Sequence, residues 1–225
     1  MTAKRAQRSH SYPTLKFESH CWKGGLQYVA GLDEAGRGCW AGPVCAATVI
    51  LPPENKILKK LHGVRDSKQM TALQRTFWAE VIKSCALSFG VGFSSNNEID
   101  RIGIVAATRL AMLRALDFLT IQPQFLLLDY MLLPTLDLPQ AGLVKGDVQS
   151  LSIAAASVLA KTERDRLMVE MDGKYPGYGF AQHKGYGTPQ HQQNLKRIGA
   201  SPIHRFSFAP VRDLSINRNQ SSTVF

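Results

Sequence analysis

Apolar residues come in short runs set between turn residues and stretches of helical spacing. Tyr28-Val29-Ala30 opens a strand expected over 27–33. A second strand is expected over 44–51, apolar and β-branched, stopped by Pro52-Pro53. The hairpin-like link between the two makes them antiparallel neighbours. Helical spacing returns over 71–84, with Ser67 or Thr71 available as its cap. A third strand is expected over 86–93, and then one long helix over 98–119, its apolar face running through Ile102, Val105, Ala106, Leu110, Leu113 and Leu116. Phe125 to Leu128 are continuously apolar, the mark of a strand buried on both faces, and the run ends in Asp129. Strand, helix and strand in that order predict a right-handed crossover.

Leu143-Val144 reads as a short extended piece ahead of Lys145-Gly146-Asp147. The strongest helix is expected over 150–171. Its first half carries small residues that allow close approach to a sheet, and 161–166 are charged with i,i+4 pairing potential. From Tyr175 the chain turns rich in Gly, Tyr, His and Pro, with a short helix over 189–198.

Composition narrows the class. A chain of 225 residues forms one large domain or a domain with an appendage. No apolar run approaches the ~20 residues of a membrane span. Cys21, Cys39, Cys45 and Cys85 form no C-x-x-C pair and have no clustered His, which argues against zinc and fits a reducing cytoplasm. The formal net charge of +10 points to a polyanionic partner, most often nucleic acid.

The candidate chemistry gathers at strand ends. Asp33 and Glu34 stand side by side behind the first apolar run, ahead of Gly36-Arg37-Gly38. Neighbouring strand residues face opposite ways, so the two acids are expected to share a partner only if the strand ends or bulges there. Glycines let a ligand approach main-chain N–H groups, and Arg37 adds a forked cation suited to phosphate. Asp129 and Asp147 occupy comparable places, although Asp147 is also placed to cap the following helix. Four carboxylates suit Mg²⁺ or Mn²⁺ and hydrolysis of a phosphodiester. Lys68, near a predicted helix start, reads either as an ordinary surface lysine or as a cation set beside an anion. The basic and aromatic segment 175–188 suits stacking and phosphate contact, or else a packed loop braced by His183. The run G-x-G-x-x-x-G at Gly36 is one residue too long for a dinucleotide fingerprint, and no P-loop is present.

Together these motifs resemble the type 2 ribonucleases H in their bacterial form. The matching stretches are GLDEAGRG at 31–38 with Gly42-Pro43-Val44, Asp66-Ser67-Lys68, Leu128-Asp129, Lys145-Gly146-Asp147, IAAASVLAKTERDRLM at 153–168, HKGYGT at 183–188 and HRFSFAPV at 204–211. The resemblance implies an α/β, ribonuclease H-like fold: a central mixed five-stranded sheet flanked by helices, with a C-terminal helical extension. The motifs cover roughly 27–211 and imply a catalytic domain over 21–211 with a substrate-binding extension from about 172; composition adds a flexible basic segment over 1–20 (of which 16–22 can cover part of the core) and a polar tail over 212–225. The implied activity is metal-dependent cleavage of RNA in RNA/DNA hybrids, and 5′ of single ribonucleotides in duplex DNA. Asp33, Glu34 and Asp129 would hold a first Mn²⁺ or Mg²⁺ and Asp147 a second. Gly36, Arg37 and Gly38 would read the ribose 2′-OH. Tyr186 would stack on the neighbouring sugar, and Lys68 would meet the backbone. A cytoplasmic monomer is implied, with a sliding-clamp-type partner left open. The rival readings are a nuclease of the same fold with no ribose requirement, and a basic binding module without chemistry. One position departs from the pattern: the family usually has a small residue after Asp129, and here Tyr130 stands at the rim.

Overall fold

The structure, a computed structural model, describes residues 12–213. Its elements run α1 (Lys16–Lys23), β1 (Val29–Ala35), β2 (Val44–Ile50), α2 (Lys56–Lys60), α3 (Ala72–Cys85), β3 (Ser88–Ser94), α4 (Asn96–Ile102), α5 (Ile104–Asp117), β4 (Phe125–Asp129), β5 (Gln140–Leu143), α6 (Leu151–Lys174), α7 (Phe180–His183) and α8 (Pro189–Ile198). The five strands form one sheet in the order β3-β2-β1-β4-β5. β1 pairs antiparallel with β2 and parallel with β4, so the sheet is mixed. Among the described residues no helix is long and apolar enough to cross a membrane.

Helices cover both faces. On one side α6 and α3 bury Ala47, Val49, Ala155, Leu159 and Ile82. On the other, α5 buries Leu32, Ala46, Ala107, Ala111 and Leu128. Glycine sets how closely these helices approach. A Cβ at Gly31 would lie 2.2 Å from the Ser152 carbonyl carbon, and one at Gly92 would lie 2.2 Å from the Ala111 carbonyl oxygen. The small residues of α6 and α5 are the other half of that fit.

The helix expected over 98–119 is two helices, broken where Gly103 takes φ +78°. The break turns the apolar face. Ile102 and Val105 are exposed, while Ala107, Ala111, Met112 and Ala115 are buried. Thr71, not Ser67, caps α3, and a reciprocal bond with Gln74 completes the capping box.

Within the segment expected to be flexible over 1–20, residues 16–20 are helical and packed. Glu18 is fully buried. Its Oε1 accepts hydrogen bonds from Ser150 Oγ (2.6 Å), Ser152 N–H (2.9 Å) and Ser152 Oγ (2.7 Å). A carboxylate at a helix N-terminus is favoured by the peptide dipoles, so α1 is pinned to the start of α6. The rest of that expectation, at 1–11, and most of the expected tail, at 214–225, lie outside the described residues.

Candidate active site

β1 runs on past the end of its pairing with β4. Its ladder with β2 continues without a bulge to Ala35↔Cys45, whereas that with β4 stops at Leu32↔Leu128. Asp33 and Asp129 are next in register, on adjacent parallel strands. Asp147 reaches the same point from a 3-10 turn, Gly146–Val148, entered through Lys145 at φ +56°. The Gly146 N–H donates to Asp129 Oδ1 at 2.8 Å, and a Cβ there would meet Ile153 Cδ1 at 2.6 Å. One carboxylate oxygen each from Asp33, Asp129 and Asp147 lies within 4.8 Å of the other two. Ser150, not Asp147, caps α6, so Asp147 is left to the cluster.

Glu34 stands apart from that trio. Its Oε1 accepts from Arg37 at 3.3 Å, yet it stays close enough for its charge to act on Asp33 and for Asp129 and Lys68 to act on it. Its Oε2 is buried with no hydrogen-bond partner among the described residues. Burial holds the Glu34 carboxyl above its ordinary pKa even though Arg37 pulls the other way. Burial, then Glu34 and Asp129, hold Asp33 well above the carboxylate range against a hydrogen bond from Ser157. Burial, then Asp66 and Asp129, raise Asp147 to about 6. Three acids that resist ionisation together, and a buried carboxylate oxygen without a partner among the described residues, form a donor set that suits a divalent cation.

The cation at hand is Lys68, whose exposed ammonium stands 3.8 Å from Asp147 Oδ2. Burial opposes its charge, but Asp33, Asp147, Asp66 and Asp129 together hold its pKa above the ordinary value. Sequence reading allowed Lys68 a place beside an anion; the nearest anions are the protein's own acids.

The turn after β1 is held from below by two arginines. Arg205 is fully buried and donates to the carbonyls of Gly42 (2.9 Å), Arg37 (2.8 Å) and Gly36 (2.7 Å). Arg164, also fully buried, donates to Pro43, Lys184 and Ala41. Gly36, at φ +92°, is required, since a Cβ would lie 1.9 Å from Arg164 Nε. Among the described residues nothing crowds Gly38, where a Cβ would find no atom within 4 Å. The Arg37 and Gly38 amides have no acceptor among the described residues. Neither buried arginine was singled out from sequence. Arg164 lies in a charged stretch that reads as a helix surface, because a lone arginine is seldom fully buried.

Tyr186 is 39% exposed and lies over the other half of α6. Lys161 Nζ is 5.3 Å from its ring centroid and the Arg164 guanidinium carbon 5.9 Å. Ser157, Lys161 and Arg164 are spaced i, i+4, i+7 and share one face of α6. That face joins Asp33 to Tyr186 over about 6–10 Å at 1.5 Å per residue. Tyr130 carries φ +65°, a left-handed conformation that favours glycine, and its side chain is exposed beside Asp129.

The family model for ribonuclease HII matches residues 30–211, from β1 through the C-terminal extension. The chain belongs to the ribonuclease HII family. Ribonuclease HII of Dehalococcoides mccartyi is 51% identical over 202 residues, 88% of this chain and 93% of that one. The crystal structure of ribonuclease H2 from Pyrococcus horikoshii OT3 superposes with a TM-score of 0.72 at 26% identity, covering 86% of this chain and 99% of that one. Ribonuclease HII of Archaeoglobus fulgidus, solved as a PCNA complex, gives 0.70 at 26%, with 83% and 96% covered. The mixed sheet, flanking helices and C-terminal helices are the ribonuclease H-like architecture, and membership makes this chain a type 2 ribonuclease H, a hydrolase.

Proposed function

We propose that this chain hydrolyses the RNA strand of RNA/DNA hybrids and nicks duplex DNA 5′ of a single embedded ribonucleotide, leaving 5′-phosphate and 3′-hydroxyl ends. The reading is carried by the convergence of Asp33, Asp129 and Asp147 within 4.8 Å beside a turn with free amides. Those three acids and the Glu34 Oε2 would hold Mg²⁺ or Mn²⁺, which take carboxylate oxygens. When bound, two such ions supply an activated water and charge neutralisation at the leaving oxygen.

The remaining steps belong to the chain's own side chains. Ser157 orients Asp33, and Gly146 N–H orients Asp129. Lys68 offers its exposed ammonium to a backbone phosphate once the acids are neutralised. The amides of Arg37 and Gly38, with open space at Gly38, let a ribose come close enough for its 2′-OH to be read. The Tyr186 ring, about 6–10 Å along α6, meets a sugar next to the cleaved bond. Every one of these groups comes from one chain, which supports action as a monomer. A sliding-clamp-type partner is proposed only on the likeness to the Archaeoglobus fulgidus protein.

The test uses duplex DNA with one ribonucleotide and an all-DNA control, each with Mg²⁺, Mn²⁺ or EDTA. Cleavage is expected with metal alone and only on the 5′ side of the ribonucleotide. Cleavage of the all-DNA duplex would sink the ribose requirement, and cleavage in EDTA would sink the metal site.

A further inference from the structure

The turn that presents Tyr186 is built from left-handed residues, Lys184 at φ +52° and Gly185 at φ +82°. Such a turn has no regular ladder to hold it, so its position is set by what bonds to its amides and carbonyls. Part of that bonding comes from three histidines. His191 and His204 are fully buried and His183 nearly so. The His183 and His191 rings stack at 4.4 Å, tilted by 12°.

Their hydrogen bonds assign one tautomer to each ring. The Ser201 N–H at 2.9 Å, which can only donate, and the Ser201 Oγ at 2.8 Å both lie closer to His204 Nδ1 than the Ser201 carbonyl at 3.2 Å, so that nitrogen accepts and Nε2 carries the hydrogen. His191 Nδ1 faces the Tyr186 carbonyl at 3.0 Å and must donate, which leaves His191 Nε2 as an acceptor. The two Nε2 atoms are 3.0 Å apart, and the hydrogen on His204 points at the lone pair on His191. In His183, Nδ1 accepts from Gly185 N–H at 3.2 Å, and Nε2 donates to the Tyr178 carbonyl at 2.9 Å. One chain of donors thus runs from Ser201 through His204 and His191 to Tyr186.

We propose that His191 and His204 are positioning residues for Tyr186, fixing where its ring meets the substrate through this imidazole relay. The proposal rests on the reading that Tyr186 contacts the substrate sugar. The relay closes only with both rings neutral, since a second hydrogen on either would set two N–H groups face to face. Its surroundings keep them so. The rings of Trp40, Tyr178 and Phe180 pack against them. The titratable groups acting on the pair are His183 and each other. A small displacement of a substrate-orienting group is enough to slow a reaction markedly.

Two substitutions at one site separate positioning from packing. His191→Asn sets an amide nitrogen where Nδ1 was and keeps a donor for the Tyr186 carbonyl. His191→Gln reaches His204 and loses that donor. Thermal midpoints of both are compared with kcat and KM on duplex DNA holding one ribonucleotide. His191→Gln, which loses the bond to Tyr186, is expected to lower kcat/KM about tenfold, and His191→Asn, which keeps that bond but cuts the link to His204, to lower it about threefold. Combined with Tyr186→Ala, His191→Gln should add nothing further. Equal losses that follow thermal stability, or a full additional loss beside Tyr186→Ala, would overturn the positioning role. Wild-type kcat/KM for Tyr186→Ala would sink the sugar contact and this proposal with it. A slow Tyr186→Ala beside an unaffected His191→Gln would sink the relay alone. Should His191→Gln not fold, His204→Asn keeps an acceptor for Ser201 and cuts the same link as His191→Asn; it is expected to lower kcat/KM by the same factor of about three, and an unchanged kcat/KM would take His204 out of the relay.

Discussion

The two halves of α6 bury ionisable groups in opposite ways. Its first turns lie against Asp33 and Asp147, where charge is left unbalanced: the carboxyls resist ionisation and Glu34 Oε2 has no partner among the described residues. Its later turns carry Arg164 and pack through Met168 on Tyr178 and Phe180, the rings that His191 and His204 lie against, while Arg205 grips the same turn as Arg164. There the guanidinium groups are spent on carbonyls, and both imidazoles are held neutral in single tautomers. Unbalanced burial costs stability unless a ligand relieves it, whereas satisfied burial builds a scaffold. The contrast separates the place where a cation and substrate bind from the frame that aims them.

The largest effect should come from Asp33→Asn. Cleavage is expected to fall on the order of a thousandfold, because charge stabilisation worth several kcal/mol is lost at the reacting phosphate. In EDTA the thermal midpoint should hold or rise, since one repelling buried carboxyl is gone. A clear drop in that midpoint would mean Asp33 belongs to the scaffold. Arg205→Met should behave in the reverse sense. It strips buried carbonyls of their donor and should cost about 3 kcal/mol in urea unfolding. A loss under about 1 kcal/mol would mean that water replaces the guanidinium.

The two regions should also answer pH with opposite slopes. Burial lowers His191 and His204 to about 4, below the ~6.5 of an unfolded histidine. The folded state then binds fewer protons in that window, so this contribution is complete above about 6.5 and is lost as pH falls toward 4. Asp147, at about 6, lies above the ~3.9 of an unfolded aspartate. The folded state binds more protons there, so without metal its contribution is lost as pH rises from about 4 to 6. In EDTA, Asp147→Asn should therefore steepen the fall in urea midpoint from pH 6.5 to 4, and His191→Gln should flatten it. An unchanged profile for Asp147→Asn would take Asp147 out of the strained cluster. The smallest effect belongs to Tyr130→Gly, which relieves a left-handed backbone and should stabilise by about 1 kcal/mol. A destabilised Tyr130→Gly, read by the same unfolding, would show that the tyrosine ring is held by packing.

Much of the site is legible along the chain. Acids stand where apolar runs stop, glycines flank an arginine, and Thr71 precedes a helical repeat. These are local signals, because strand alternation, turn chemistry and capping all act within a few residues. By that route the sequence groups Asp33, Glu34, Asp129 and Asp147, of which the fold brings Asp33, Asp129 and Asp147 within 4.8 Å. What sequence could not decide is which way neighbours point and what lies opposite them. Asp33 and Glu34 are adjacent in the chain, yet Asp33 takes a hydrogen bond from Ser157 of α6 while Glu34 is held by Arg37. Gly103 reads as a tolerated helix residue until its positive φ splits the helix. Arg205 reads as a surface cation, but its acceptors at Gly36, Arg37 and Gly42 are more than 160 positions away. Residue types and local periodicity determine the elements and the candidate chemistry. Only tertiary packing decides which buried polar groups find partners, because those partners come from distant parts of the chain.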